Sequence, residues 1–158
     1  MIRARQANVI HSSKNYDGVK WVLPARQPSI GATEKKFAAH LDAYAERIGV
    51  LAKKARAFGA KFIVVTQHKG NYRIRDGKVF GEQLDDGKVD TGEFAGLTAF
   101  NKRAMATCRS LQAICIDLAN DVVFDDGDHY DGLHTTPRGS EKIGRRLYSK
   151  LKHIVTPN

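Results

Sequence analysis

The sequence predicts an α/β fold in which helices cover a parallel β-sheet. Helix and strand patterns alternate in the order helix, strand, helix, strand, helix, which is the order found in α/β proteins. The strand patterns at 61–67 and 113–118 are continuous apolar runs, and strands of that kind are buried on both faces between helices. A chain of 158 residues is long enough for one domain with its own core.

Residues 1–32 carry no regular pattern. The short apolar pieces Val9–Ile10 and Trp21–Leu23 are interrupted by polar residues, and Pro24 and Pro28 exclude a helix interior. We therefore interpret 1–32 as an irregular lead segment, of the kind that connects parts of a larger fold. We assign 33–158 to the folded domain.

The first helix pattern extends from Thr33, the expected N-cap, to Gly59, which supplies a left-handed stop. Apolar residues spaced by three and four share one face, which we expect to be core. They are Phe37, Leu41, Tyr44, Ile48, Leu51, Ala55 and Phe58.

The segment between the first strand and the second helix is rich in turns. Asp76–Gly77 and Asp86–Gly87 are hairpin-turn dipeptides, and Tyr72–Arg75 with Lys78–Phe80 can form a small ribbon around the first. Gln67 and His68 end the preceding strand, and we interpret them as an exposed polar strand end or as part of a pocket.

Two further helices show apolar faces. The faces comprise Leu97, Phe100, Ala104, Cys108 and Leu111 in one helix, and Ile143, Leu147, Leu151 and Ile154 in the other. Thr136 and Pro137 suit the N-cap and first turn of the last helix.

Cys108 and Cys115 are the only cysteines. They have no metal-type spacing, and both fall on apolar patterns, so we expect two small buried hydrophobic residues. A disulfide between them is the less favoured alternative.

The net charge of +9 favours phosphate-bearing partners electrostatically. However, the basic residues are scattered, and no basic stripe interleaves with aromatic residues as in nucleic-acid platforms. We therefore expect a solvated basic surface, with nucleic-acid binding as a rival hypothesis. No membrane span or signal-peptide pattern occurs in the chain, which predicts a cytoplasmic protein without a membrane partner.

The densest polar cluster lies between the last strand and the last helix, at 124–139. Asp131 and His134 are three residues apart, with Gly132 allowing a tight turn between them. A carboxylate on one imidazole nitrogen fixes the tautomer, so the other nitrogen can take a proton from a hydroxyl. Two other interpretations stay open, namely capping of backbone groups and a divalent-metal site built from the neighbouring aspartates or from His129 with His134. We expect the other acidic side chains to be solvated.

The stretch 131–139, Asp-Gly-Leu-His-Thr-Thr-Pro-Arg-Gly, followed by an amphipathic helix, resembles the last conserved block of SGNH/GDSL hydrolases. The resemblance covers roughly 34–153, and only this block is specific. It implies a three-layer α/β/α, flavodoxin-like sheet and carboxylic ester hydrolysis by a Ser–His–Asp triad, with Asp131 and His134 as two of its members. A small ester is the implied substrate, and neither a metal nor an organic cofactor is needed.

The family's other blocks have no counterpart in this sequence. The Gly-Asp-Ser nucleophile motif, the oxyanion glycine and the Gly-x-Asn block are missing, and the surroundings of Ser12 and Ser13 do not match. We therefore expect a C-terminal part without the N-terminal strands of the sheet, inactive alone, whose partner is a complementary N-terminal chain or a second copy. The alternatives are a degenerate, non-catalytic partner-binding module and a metal-dependent hydrolase using the acidic loop, which comprises residues 125–134.

Overall fold

A computed structural model describes residue 16 and residues 18–155 of the chain, except for the side chain of Val155. It contains both helices and small sheets, so the predicted mixed α/β class is confirmed. The chain divides into two compact units. The sheet unit holds the described residues up to Pro28 together with 69–92 and 122–149, and the helical unit holds 29–68, 93–121 and the described residues from 150 onward.

The sheet unit is built around an antiparallel sheet. Its strands are β1 (Trp21–Val22), β3 (Tyr72–Arg75), β4 (Lys78–Gln83) and β5 (Val89–Asp90), and each of the other three pairs with β4. Asp76 and Gly77 have φ values of 49° and 71°, as a two-residue hairpin turn requires. The ribbon predicted from the sequence is therefore confirmed.

The helical unit contains α1 (Ile30–Lys36), α2 (Ala38–Ala57), β2 (Ile63–Val65), α3 (Phe94–Ser110), β6 (Ile114–Ile116) and α4 (Leu118–Asp121). Strands β2 and β6 pair in parallel, with Ile63 opposite Ile114. The prediction of parallel strands from continuous apolar runs is confirmed for this pair. A last helix, α5 (Pro137–Val155), continues from the sheet unit into the helical unit.

The lead segment is more regular than the sequence predicts. Trp21 and Val22 pair with Glu82 and Gly81 of β4, and α1 begins at Ile30. The prediction of an irregular segment is wrong there because strand pairing with β4, a long-range contact, orders two residues that have no local pattern.

The first predicted helix is divided at Phe37, whose backbone (φ −106°, ψ 19°) leaves the helical range between α1 and α2. Its N-cap is Ser29 and not Thr33, because the Ser29 Oγ accepts the N–H of Ala32 at 3.2 Å. The stop at Gly59 is confirmed by its φ of 71°.

The predicted core face of this helix is only partly correct. Leu41, Ile48 and Ala52 are buried, whereas Leu51 is 57% and Phe58 89% exposed. The buried stripe advances with the 3.6-residue turn and leaves Leu51 beside it, and Phe58 lies past the last turn at the C-cap. The expectation that Phe58 is core is wrong.

A disulfide joins Cys108, near the end of α3, to Cys115 in β6, with a Cα–Cα distance of 5.9 Å. The expectation of two free thiols is therefore wrong. Gln112 has a φ of 52°, so the chain reverses sharply after α3, and the reversal brings β6 back beside the helix end. This geometry cannot be inferred from the seven-residue spacing alone.

Helix α5 begins at Pro137, and the Oγ1 of Thr136 accepts the N–H of Gly139 at 3.2 Å. The predicted cap is confirmed. Its apolar face is half-buried rather than core, since Ile143, Leu147 and Leu151 are intermediate in exposure. In the described part of the chain, every helix is too short or too polar to cross a bilayer.

Candidate active-site turn

Asp131 and His134 lie at the tip of a tight hairpin at the end of the acidic loop, shortly before α5. His129 pairs with Thr135 across it, and the N–H of Tyr130 donates to the carbonyl of His134 at 2.8 Å. Because these main-chain contacts join the two arms of the hairpin, the four residues 131–134 are confined to one turn. The turn does not require the glycine that the sequence analysis singled out, because the φ of Gly132 is not in the left-handed region and a Cβ there would make only ordinary contacts, the nearest 3.7 Å from Asn71.

The structure brings the two predicted site residues into direct contact. Nδ1 of His134 is 2.8 Å from Oδ2 of Asp131. The other oxygen, Oδ1, accepts the backbone N–H groups of Leu133 and His134, each at 2.7 Å. The carboxylate thus caps the turn and orients the imidazole at the same time, and the second ring nitrogen, Nε2, is directed away from Asp131.

The hydrogen bonds favour a carboxylate at Asp131. Its partial burial would raise the pKa, but hydrogen bonds from the backbone and side chain of His134 and from the Leu133 N–H lower the pKa to about 2. The group therefore stays ionised through the neutral range and attracts a proton on Nδ1. The side chain of His134 is half-exposed.

Gly70, in the loop after β2, contacts the turn through its backbone. The N–H of Gly70 donates to the carbonyl of Gly132 at 3.1 Å. A Cβ at position 70 would lie 2.5 Å from the carbonyl oxygen of Asp131 and 2.7 Å from Cβ of His129. Only glycine permits this approach, and no local sequence pattern indicates that residue 70 touches the candidate site.

His129 is buried at the base of the same hairpin, 2% exposed, with its ring edge-to-face on Phe124 at 5.1 Å. Burial, reinforced by the charge of Arg73, lowers its pKa to about 4. His129 is therefore neutral at pH 7 and belongs to the packing that supports the turn.

Carboxylates of the acidic loop pair with cationic side chains of α5. The expectation that these acidic side chains are solvated is therefore wrong. Asp128 is 0% exposed, and its carboxylate contacts Nζ of Lys142 and, at 3.4 Å, Nε of Arg138. Asp125 contacts the same two side chains, Arg138 and Lys142. The prediction failed because Lys142 is fourteen residues from Asp128, and only the packing of α5 on the loop joins them.

These ion pairs bear on the metal hypothesis. The carboxylates of Asp125 and Asp128 already face ammonium and guanidinium groups, which compete with a divalent ion. Among the residues that the structure describes, no group of three or more histidine, cysteine or acidic side chains is placed to hold a metal.

Arg73 links the acidic loop to the antiparallel sheet, a role that the sequence analysis did not predict. Its guanidinium is 5% exposed and lies over the Trp21 ring, 4.0 Å from the centroid. Nε donates to Oδ1 of Asp126 at 2.9 Å, and Nε1 of Trp21 donates to the same oxygen at 2.9 Å. An isolated arginine in a ribbon gives no sign of burial, because its partners lie about fifty residues away on either side.

At the end of β2, Gln67 is exposed, as the interpretation of an exposed polar strand end predicts. The side-chain amide of Asn101 accepts the Gln67 N–H at 3.1 Å and donates to its carbonyl at 2.7 Å, so Gln67 is held by α3 rather than left as a loose strand end. Ser12 and Ser13 lie outside the described residues. Comparison with protein-family models, curated proteins and solved structures finds no match for this chain.

Proposed function

We propose that Asp131 and His134 are the acid–base part of a carboxylic ester hydrolase of SGNH/GDSL type, with the serine supplied from outside this chain. The contact between Nδ1 and Oδ2 at 2.8 Å is the observation on which the proposal depends. It fixes the imidazole in the tautomer whose Nε2 carries a lone pair. That tautomer is the one a general base requires.

The proposed reaction follows from this tautomer. Nε2 of His134 takes the proton of a serine hydroxyl as its oxygen attacks the ester carbonyl carbon, and Asp131 stabilises the imidazolium that forms. His134 then gives the proton to the departing alkoxide, leaving an acyl-enzyme, and the same nitrogen activates water for its hydrolysis. A carboxylate with a pKa of about 2 remains charged throughout the cycle.

The fold that we propose is the three-layer, flavodoxin-like one, with β2 and β6 as two of its strands. The register places the main-chain groups of Ile63 and Val65 on the edge of β2 that faces away from β6. A two-stranded parallel sheet with an open edge is rare, because parallel sheets are normally wider and covered on both faces. A complementary chain contributing strands at this edge fits the proposal.

The second candidate is a non-catalytic partner-binding module derived from the same fold. Its supporting observation is an exposed apolar set on α2 and its C-cap, comprising Val50, Leu51 and Phe58. Large exposed apolar residues in a group commonly mark an interface. This candidate needs neither a nucleophile nor the tautomer of His134.

The imidazole tautomer can be measured directly on the purified chain. Long-range ¹H–¹⁵N NMR should show His134 protonated on Nδ1, and Asp131→Asn should abolish that preference, whereas Asp86→Asn, an exposed aspartate of a distant turn, should leave it unchanged. A His134 ring protonated on Nε2, or one indifferent to Asp131→Asn, would overturn the assignment of the pair.

Ester hydrolysis is the second test. The purified chain alone should hydrolyse p-nitrophenyl acetate no faster than His134→Ala, because its sequence contains no Gly-Asp-Ser nucleophile block. The nucleotide sequence preceding the Met1 codon should encode a Gly-Asp-Ser block, and co-expression with that segment should restore turnover that His134→Ala removes. If neither the Gly-Asp-Ser block nor the restored turnover is found, the binding module is favoured. His134-dependent turnover by the chain alone would refute the proposal that the serine lies outside this chain.

A further inference from the structure

Large apolar side chains lie exposed on one side of α2, within the helical unit. Val50 and Leu51 are more than half exposed, and Phe58, at the C-cap, is the most exposed large apolar residue that the structure describes. Together with Arg47 and Lys54 they follow one another by three or four positions, so the five side chains share one side of the helix. We call this set, Arg47, Val50, Leu51, Lys54 and Phe58, the α2 face.

The aromatic ring of the α2 face projects from small surroundings. Phe58 is flanked by Ala57, Gly59 and Ala60, and a Cβ at Gly59 would meet nothing within 4 Å. An interface between two proteins is closely packed at its core, so a protein partner would need a matching pocket for the projecting ring. A bilayer interface is fluid and accepts such a ring without a pocket. The shape of the α2 face therefore favours a lipid surface.

The charge around the α2 face is positive and is not neutralised. Between residues 47 and 61 the sequence has five basic residues and no acidic one. Arg47, Lys53 and Lys54 are exposed, and no residue that the structure describes forms a salt bridge with their side chains. Unpaired cations beside exposed apolar side chains attract a surface that is both apolar and negatively charged.

We infer that the α2 face docks this chain on a bilayer that contains anionic lipids. Leu51 and Phe58 enter the boundary between head groups and acyl chains, and the cations of Arg47, Lys53 and Lys54 contact the lipid phosphates and carboxylates. The expectation of a chain without a membrane partner rested on the lack of a spanning segment, and docking at the surface does not require one.

Two other occupants fit the α2 face less well. A second copy of this chain would bring the same positive charge against it, because a twofold interface pairs identical surfaces. A nucleic acid would match the charge and could stack on Phe58, but the aliphatic Val50 and Leu51 are not stacking surfaces for bases. The inference does not rest on the ester hydrolase proposal, since no residue of the α2 face belongs to the Asp131–His134 turn.

The test sediments the full chain with vesicles at physiological ionic strength. Binding to an equimolar mixture of phosphatidylserine and phosphatidylcholine should be much stronger than binding to phosphatidylcholine alone. Phe58→Ala should weaken binding to the mixed vesicles by about tenfold, because the burial of the ring is lost. The double variant Lys53→Gln and Lys54→Gln should weaken this binding by about 25-fold, which is about fivefold for each charge removed.

Two matched controls separate the α2 face from the general positive charge of the chain. Val123→Ala removes a highly exposed apolar side chain of the sheet unit, and the double variant Lys20→Gln and Lys78→Gln removes two exposed charges of that unit. Both controls should bind the mixed vesicles nearly as tightly as the unchanged chain.

Three vesicle results would overturn the inference. They are equal binding to the two kinds of vesicle, an unchanged affinity in Phe58→Ala, and equal losses in the two lysine double variants. A dimer in analytical ultracentrifugation, or a complex with an oligouridylate, that Phe58→Ala abolishes while the mixed vesicles stay unbound would also overturn it, in favour of a second copy or a nucleic acid.

Discussion

Acidification should destabilise the hairpin that carries the candidate site, through the buried His129. Its pKa is about 4 in the folded chain, against 6.5 for an unperturbed histidine. Between these two values the unfolded chain takes up a proton that the folded chain does not, so the free energy of unfolding falls as the pH falls. The full difference of about 2.5 pH units corresponds to about 3 kcal/mol at 1.36 kcal/mol per unit.

About 2 kcal/mol of this loss should occur between pH 7 and pH 5. The carboxyl groups of Asp125 and Asp131 contribute little in that interval, because both have pKa values already lowered below 3.8. Urea unfolding at several pH values gives the free energy, and the single tryptophan, Trp21, reports on the sheet unit directly, since it donates a hydrogen bond to the acidic loop.

The variant His129→Gln removes the titrating group and should flatten this pH dependence, even if it lowers stability at every pH. His153→Gln, a substitution at an exposed histidine, is the control and should retain the wild-type slope. A wild-type stability that is constant from pH 7 to pH 5, or the same slope in His129→Gln, would refute the reasoning that burial keeps this imidazole neutral.

Three further changes should alter stability, each measured by urea unfolding. Arg73→Met should cost about 3 kcal/mol because it leaves the buried carbonyls of Gly70 and Tyr72 without their donor. The exposed Arg75→Met should change stability by no more than about 0.5 kcal/mol, and similar losses in the two would contradict the structural role of the buried guanidinium. Gly139→Ala should cost about 2 kcal/mol, since its Cβ would lie 2.1 Å from a carbonyl oxygen, but Gly144→Ala in the same helix, with open space at its Cβ, should gain about 0.5–1 kcal/mol. Reducing the disulfide should cost about 2–3 kcal/mol, as expected for closing a loop this short, and a thiol titration that finds two free thiols before reduction would disprove the bond.

The disulfide also bears on the environment of the chain. Disulfides persist mainly in oxidising compartments and are rare in the reducing cytosol. The expectation of a cytoplasmic protein came from the lack of a targeting pattern, and the Cys108–Cys115 bond argues against it. Thiol titration of protein taken directly from cells, with the thiols blocked at lysis, distinguishes the two cases.

The sequence by itself determined the features that depend on near neighbours in the chain. The hairpin at Asp76–Gly77, the left-handed stop at Gly59 and the cap of α5 each require only a few consecutive residues, and all three are present. The contact between Asp131 and His134 belongs to the same class, because a turn of four residues is enough to close it. Continuous apolar runs likewise predicted the parallel pairing of β2 with β6.

The tertiary structure alone decided which side chains are buried and what they meet. Asp128 and Arg73 are charged residues with no local sign of burial, and their partners are distant in sequence. The apolar Phe58 is exposed for the complementary reason that no described element covers it. Helical and strand periodicity specify which residues share a face, but the neighbour that packs against that face is set by long-range contacts, which local patterns do not encode.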